Sequence, residues 1–152
     1  MNKKIIYRII NILCLVMLVG TIVWLIVTWD NIPDEVPMHF NAGGEIDRMG
    51  DKVEIIIMPI FSWLLYGIMA FIEAIPGAWN TGVKVTPENS ARVYAIIKRM
   101  LVTIKFVMVL SFTMITVFIS IGKPLPVWFL AFELICIFGP MVYNLISLYR
   151  NR

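Results

Sequence analysis

One short polar segment carries most of the residue types in this 152-residue chain that could do chemistry. Residues 37–52 read PMHFNAGGEIDRMGDK and contain the only histidine, His39. An imidazole with carboxylates this close in sequence suits metal binding, general acid–base chemistry or polar contacts to a peptide. The candidate ligand-binding residues of the segment are His39, Asn41, Glu45, Asp47 and Lys52, and the candidate ligands of a divalent metal are His39 and Asp47.

The local sequence predicts an extended path with a tight turn. Pro33 and Pro37 disfavour helix, and the pair Gly43-Gly44 lets the backbone reverse. The segment could be a solvated linker, or a cap over the ends of the neighbouring helices with His39 and Asn41 bonded to the turn. It could also be a binding site for a metal or a peptide, although zinc sites usually have more closely spaced His or Cys pairs.

The rest of the chain indicates a membrane protein. Hydrophobic residues make up 60% of the sequence and the mean hydropathy is +0.85, whereas soluble domains are about 45–50% apolar. Four apolar runs each approach the ~20 residues that a membrane-spanning helix needs, and the first is too long for a signal peptide. We predict one all-α integral-membrane domain over residues 1–152, with transmembrane helices at about 9–29, 53–73, 87–121 and 125–148.

The distribution of Lys and Arg predicts the orientation of this bundle. Nine basic residues lie before the first helix, between the second and third, or after the fourth: Lys3, Lys4, Arg8, Lys84, Arg92, Lys98, Arg99, Arg150 and Arg152. Cytoplasmic loops are enriched in such residues, so both termini are expected inside and the polar segment outside. The net charge is +3, and the basic residues are spread over three segments. This distribution gives no reason to propose a nucleic-acid partner.

Ionisable residues inside or beside the spans need partners. Lys52 is expected to pair with Asp47 or Asp51, and Lys105 to extend to the membrane interface. Glu133 lies among apolar residues of the fourth span, where a charge costs a few kcal/mol. It is either a proton or ligand site, or, as we favour, a neutral carboxyl group bonded to a polar neighbour. The candidate neighbours are Ser62, Ser111, Thr113 and Thr116.

Two motifs resemble a known family. The first comprises Pro33, Pro37, His39, Phe40, Asn41, Gly44, Asp47, Gly50 and Lys52. The second lies between the second and third helices and comprises Asn80, Val83, Lys84, Thr86, Glu88 and Asn89, followed by Tyr94, Arg99, Met100 and Leu101. Over residues 24–105 the sequence resembles the domain-of-unknown-function family that forms the N-terminal part of SdpI-like immunity membrane proteins. Full proteins of that type continue into further helices.

The resemblance implies a non-enzymatic binding protein of a bacterial plasma membrane. Its partner, besides the lipid bilayer, would be a secreted toxin peptide outside or a soluble regulator inside. Two other function classes stay open from the residues. A small transporter or accessory subunit would use Glu133 and would need a homo-oligomer, for which glycines in the predicted helices provide close contacts. A membrane enzyme would use His39, Glu45 and Asp47 at the outer face.

Overall fold

A computed structural model describes residues 3–150 of the chain. Its four long helices are α1 (Lys3–Thr28), α2 (Ile57–Ala74), α3 (Ser90–Ser120) and α4 (Phe129–Arg150). All four are long and apolar enough to cross a membrane. The fourth begins later than the predicted residue 125, because Pro124 and Pro126 hold the preceding backbone extended. Arg152, which contributed to the predicted orientation, lies outside the described residues.

Helix α3 is the centre of the bundle, since α1, α2 and α4 each pack against it. The outer faces of the surrounding helices carry large exposed apolar side chains, such as Ile26, Phe71 and Ile135, which are 67–70% exposed. Apolar surface on this scale is unfavourable in water and suits contact with lipid tails. The chain is therefore a multi-pass membrane-type helical protein.

The polar segment folds into a β-hairpin, so the all-α prediction is incomplete. Strand β1 (Glu35–Phe40) pairs antiparallel with β2 (Ile46–Asp51). Val36 is fully buried against Leu25 of α1 and Ile119 of α3, and Met38 and Phe40 pack beside it. Alternate residues of a strand share one face, so the apolar face of β1 covers one end of the bundle. This alternation spans only six residues and was missed in the sequence.

Local sequence signals fix the helix ends next to the hairpin. A 3-10 helix over Lys52–Ile56 precedes α2, and Asp51 and Glu54 form a capping box at its start. Pro59 is the third residue of α2, which continues directly from this 3-10 helix. At the end of α3, Gly122 has φ +65° and allows a glycine C-cap.

The opposite end of the bundle is closed by the segment between α2 and α3. The indole of Trp79 donates to the carbonyl of Ile72 at 2.7 Å and packs against a buried cluster that includes Val93, Ile97 and Leu148. Val93, Ile96 and Ile97 form an apolar stripe on the first turns of α3, and this stripe is therefore covered within the protein. Basic residues surround this end, which we call the basic end, defined by Lys4, Arg8, Lys84, Arg92, Lys98, Arg99 and Arg150.

Candidate functional site: the polar hairpin

Asn41 organises the turn of the hairpin. Its Oδ1 accepts from the backbone N–H groups of Gly43 at 2.9 Å and Glu45 at 3.0 Å. Its Nδ2 donates to Oε2 of Glu45 at 2.8 Å. Local bonds of this kind are typical of asparagine turns. Two of the predicted ligand-binding residues, Asn41 and Glu45, are thus engaged in holding the turn.

The tip of the hairpin is fixed to the turn between α3 and α4. The N–H of Leu125 donates to the carbonyl of Gly44 at 2.9 Å. Gly44 has φ +83°, and a Cβ added there would overlap the carbonyl oxygen of Leu125. The position thus requires glycine both for its backbone angle and for close approach. The hairpin therefore reaches from the start of α2 to the turn between α3 and α4.

The base of the hairpin leaves little room for side chains at Gly50. A Cβ at this position would lie 2.6 Å from Oε1 of Glu54 and 2.7 Å from Cγ of Met38. The same Glu54 oxygen accepts from the N–H of Asp51 at 3.0 Å, while Arg48 lies 3.4 Å from its other oxygen. Gly50 is therefore required for the capping box to close against the hairpin.

The expected pairing of Lys52 with Asp47 or Asp51 is wrong. The Lys52 ammonium lies 4.8 Å from the centroid of the Trp29 ring, a cation–π arrangement. Asp51 instead accepts from the N–H of Val53 at 2.8 Å, and Asp47 contacts His39. Lys52 thus links the base of the hairpin to the end of α1, and the indole replaces the expected carboxylate because α1 ends directly beneath.

His39 and Asp47 form the exposed polar face of the hairpin. Nδ1 of His39 lies 2.5 Å from Oδ1 of Asp47, and the two side chains are 65% and 42% exposed. The strand register shifts on both sides of His39, and bulges of this type re-aim side chains. The shift brings together two residues eight positions apart in a surface pair that the turn and the packing do not use.

This pair can donate and accept hydrogen bonds, but it lacks a third ligand for a metal. Among residues 3–150, no three His, Cys, Asp or Glu side chains are grouped closely enough to hold a metal ion. Glu45, the nearest candidate in sequence, is bonded to Asn41. The hairpin therefore offers a polar contact surface, and the metal site stays a hypothesis that needs a ligand from elsewhere.

Glu133 lies apart from the hairpin, inside the bundle, where α4 meets α3. Oγ of Ser111 lies 2.5 Å from Oε2 of Glu133 and 2.7 Å from the carbonyl oxygen of Val107. A hydroxyl has one hydrogen to donate, and the Val107 carbonyl can only accept. The serine hydroxyl therefore lies between the Val107 carbonyl and the Glu133 carboxyl group and can donate to one of them at a time. The other Glu133 oxygen is buried and has no partner among the described residues.

A buried ion pair between α2 and α3 was missed in the sequence. Nζ of Lys105 is hydrogen-bonded to Oε2 of Glu73, and Lys98 lies 3.7 Å from the other oxygen. Lys105 is only 1% exposed, so the expectation that it extends to the interface is wrong. Lys105 stays inside the protein because the Glu73 carboxylate is available on the neighbouring helix. Two opposite charges within apolar runs were the available signal, but their pairing depends on helix rotation.

Comparison with known proteins gives a family match and a partly aligned relative. No solved structure matches the chain. An uncharacterized protein of Archaeoglobus fulgidus is 46% identical over 44 residues, which are 27% of this chain and 24% of that protein. The chain thus aligns with about a quarter of that relative's length. Residues 16–62, from the middle of α1 through the whole hairpin into α2, match the family model described as a domain of unknown function, DUF1648.

Proposed function

We propose that the protein is a non-enzymatic binding protein of a bacterial plasma membrane, in the SdpI-like toxin-immunity or envelope-sensing class. The hairpin would face outward, both termini would be cytoplasmic, and the His39–Asp47 face would contact a secreted peptide. The proposal rests on one difference among the residues of the hairpin motif. Most motif residues have a structural contact, and His39 and Asp47 remain exposed and paired with each other.

The rigidity of the hairpin supports a recognition role. Its apolar face is buried on the bundle, its turn is held by Asn41, and its tip is bonded to Leu125. A surface held in this way loses little conformational freedom when a partner binds. A loop that served only as a linker would not need these contacts.

The two other function classes receive less support. An enzyme at the hairpin would need a nucleophile or a metal beside His39 and Asp47, and the described residues group no third metal ligand there. A transporter would use Glu133 inside the bundle, but the contact of Glu133 with Ser111 joins α4 to α3 and is accounted for by helix packing. The buried, unpartnered Oε1 of Glu133 is the one observation that favours the transporter.

Orientation can be tested by cysteine labelling. Cys14 and Cys136 are unpaired and would be replaced, after which Met49→Cys and Lys84→Cys are introduced separately. Both positions are exposed and lie at opposite ends of the bundle. A membrane-impermeant maleimide added to intact cells should label position 49 and reach position 84 only after lysis. The reverse pattern would rule out an outward hairpin.

Binding can be tested with a deletion strain of the source organism grown in conditioned medium from its own stationary cultures. Wild type should restore growth, while His39→Ala and Asp47→Asn should not, although both reach the membrane in normal amounts. Asp34→Asn, which makes the same chemical change as Asp47→Asn at another exposed position beside the hairpin, is the matched control and should protect. Full protection by both hairpin variants would refute the recognition surface, and loss of folding in both would show that the pair is structural.

A further inference from the structure

A cleft opens at the basic end of the bundle, on the face of α3 between α1 and α4. Its volume is about 690 Å³, within the ~300–1,000 Å³ of small-molecule sites. Ala91 and Ala95 of α3 line it, and Tyr7 of α1 and Tyr143 of α4 form opposite walls. The two alanines leave space where larger side chains on α3 would fill the gap between its neighbours.

Two arginines of α3 give the cleft a positive charge. Arg92 and Arg99 both line it and lie seven residues apart, about 10 Å along the helix axis. No Asp or Glu is among its described lining residues. In contrast, the groove on the other side of α1 contains Glu73 beside Lys98, which offsets the positive charge there. The cleft is thus complementary to an anion.

Arg99 is held in place by α4. Its Nε donates to Oδ1 of Asn144 at 2.8 Å, and its guanidinium carbon lies 5.2 Å from the centroid of the Tyr143 ring. Asn144 is in turn fixed by a 2.7 Å bond from Nδ2 to the carbonyl of Pro140. The bond to Asn144 uses one of the five N–H donors of a guanidinium. An arginine oriented in this way is suited to bind a phosphate group.

Beyond Arg99, toward the middle of the membrane-spanning region, the cleft becomes apolar. Ile10 of α1 and Val102 of α3 line this part, so an occupant would contact cations at one end and hydrocarbon at the other. We propose that the cleft binds one anionic phospholipid, with its phosphate against the guanidinium of Arg99 and an acyl chain along Ile10 and Val102. This site is separate from the hairpin and does not depend on the function proposed for it.

The test uses the full chain in detergent and native mass spectrometry to measure lipid dissociation constants. The probes are phosphatidylglycerol, phosphatidylcholine with the same chains, and sn-glycerol 3-phosphate, which has the phosphate without chains. The variants are Arg99→Gln, which removes charge, and Ala95→Phe, which fills the cleft and keeps both arginines. Lys84→Gln is the control, since it removes an exposed cation at the same end. Ala95→Phe still tests the proposal if loss of the Asn144 bond prevents Arg99→Gln from folding.

We expect wild type to bind phosphatidylglycerol at least about tenfold more tightly than phosphatidylcholine, because each charge-assisted hydrogen bond contributes about a factor of ten or more. Both cleft variants should lose about tenfold in this affinity, and Lys84→Gln should keep it. Equal affinities in all four proteins would overturn the proposal. If glycerol 3-phosphate binds as tightly as the lipid, the cleft is a site for a free phosphate compound. If Ala95→Phe changes the oligomeric mass and keeps the lipid affinity, the cleft is a contact with a second copy of the chain. Either result would also overturn the lipid proposal.

Discussion

The buried pair of Glu73 and Lys105 gives the sharpest test of how this bundle is held together. Lys105 is 1% exposed, and among the described residues Glu73 is its one carboxylate partner within 4 Å. Glu73 is 11% exposed and has a second cation, Lys98, at 3.7 Å. The loss in the free energy of unfolding therefore depends on which partner is removed, because Glu73 has a second cation nearby and Lys105 has no second carboxylate among the described residues. We expect Glu73→Leu to destabilise the protein more than Lys105→Met.

The expected magnitudes follow from these contacts. Breaking a buried pair costs about 3–5 kcal/mol because it leaves an uncompensated charge, and we assign that range to Glu73→Leu. The Tyr66 ring lies 5.4 Å from the Lys105 ammonium, and this cation–π contact is present in both wild type and Glu73→Leu, so it leaves the range unchanged. Lys105→Met should cost less, about 2–3 kcal/mol, since Lys98 still faces the carboxylate. Lys98→Met is the control and should cost at most about 1 kcal/mol, because this lysine is 41% exposed.

The double variant decides whether the pair itself carries the effect. Replacing both partners with apolar residues of similar volume is often neutral or stabilising, so Glu73→Leu/Lys105→Met should melt close to wild type. Thermal unfolding in detergent should show a drop of roughly 6–20 °C for Glu73→Leu, at about 2–4 °C per kcal/mol for a chain of this size. A double variant as unstable as Glu73→Leu alone would refute the energetic coupling of the two charges.

Three further predictions test local contacts. Gly44→Ala should destabilise the protein by at least about 1–2 kcal/mol, measured by thermal melting. Gly82→Ala is the control and should cost less, because Gly82 shares the positive φ but its added Cβ would lie in open space. Equal losses would contradict the packing of the hairpin tip against Leu125. Glu133→Gln should change the free energy of unfolding by less than about 0.5 kcal/mol in the same melting assay, since the amide has a similar shape and its oxygen can still accept from the serine. A large loss would show that the contact needs a carboxyl group. The hydroxyl of Thr86 holds the pKa of Glu88 below its ordinary value. The stabilisation from this hydrogen bond is therefore complete above the ordinary Glu88 pKa and is lost as pH falls through the lowered pKa of the folded state. Thr86→Val should raise the Glu88 pKa in an NMR titration, and an unchanged titration would exclude the contact.

The sequence predicts the four helices well because length and apolar composition decide them without knowledge of tertiary contacts. The contact of Asn41 with the turn was also foreseeable, since an asparagine bonds to backbone within a few residues of itself. The hairpin was not foreseeable, because the alternation of Val36, Met38 and Phe40 is short and contains Pro37. The partner of Lys105 lies 32 residues away on another helix, and only the rotation and depth of both helices bring the two together.

The polar contacts of the bundle share a pattern that explains why α3 is central. In hydrocarbon, apolar side chains give helices little preference for one another over lipid, so polar pairs must specify register. Five long-range side-chain hydrogen bonds each join α3 to another helix. They are Thr21–Thr113, Trp24–Ser120, Glu73–Lys105, Ser111–Glu133 and Arg99–Asn144.

These pairs lie at different depths along α3, from Arg99 near the basic end to Ser120 beneath the hairpin. Two or more contacts at separate depths fix both the rotation and the translation of a helix, and α1 and α4 each have two. Helix α2 has the buried charge pair, and its other end is held through the capping box and the hairpin base. The hairpin thus lies on a bundle in which every helix is positioned against α3. Glu73→Leu should therefore weaken the packing of the bundle while leaving the His39–Asp47 contact intact.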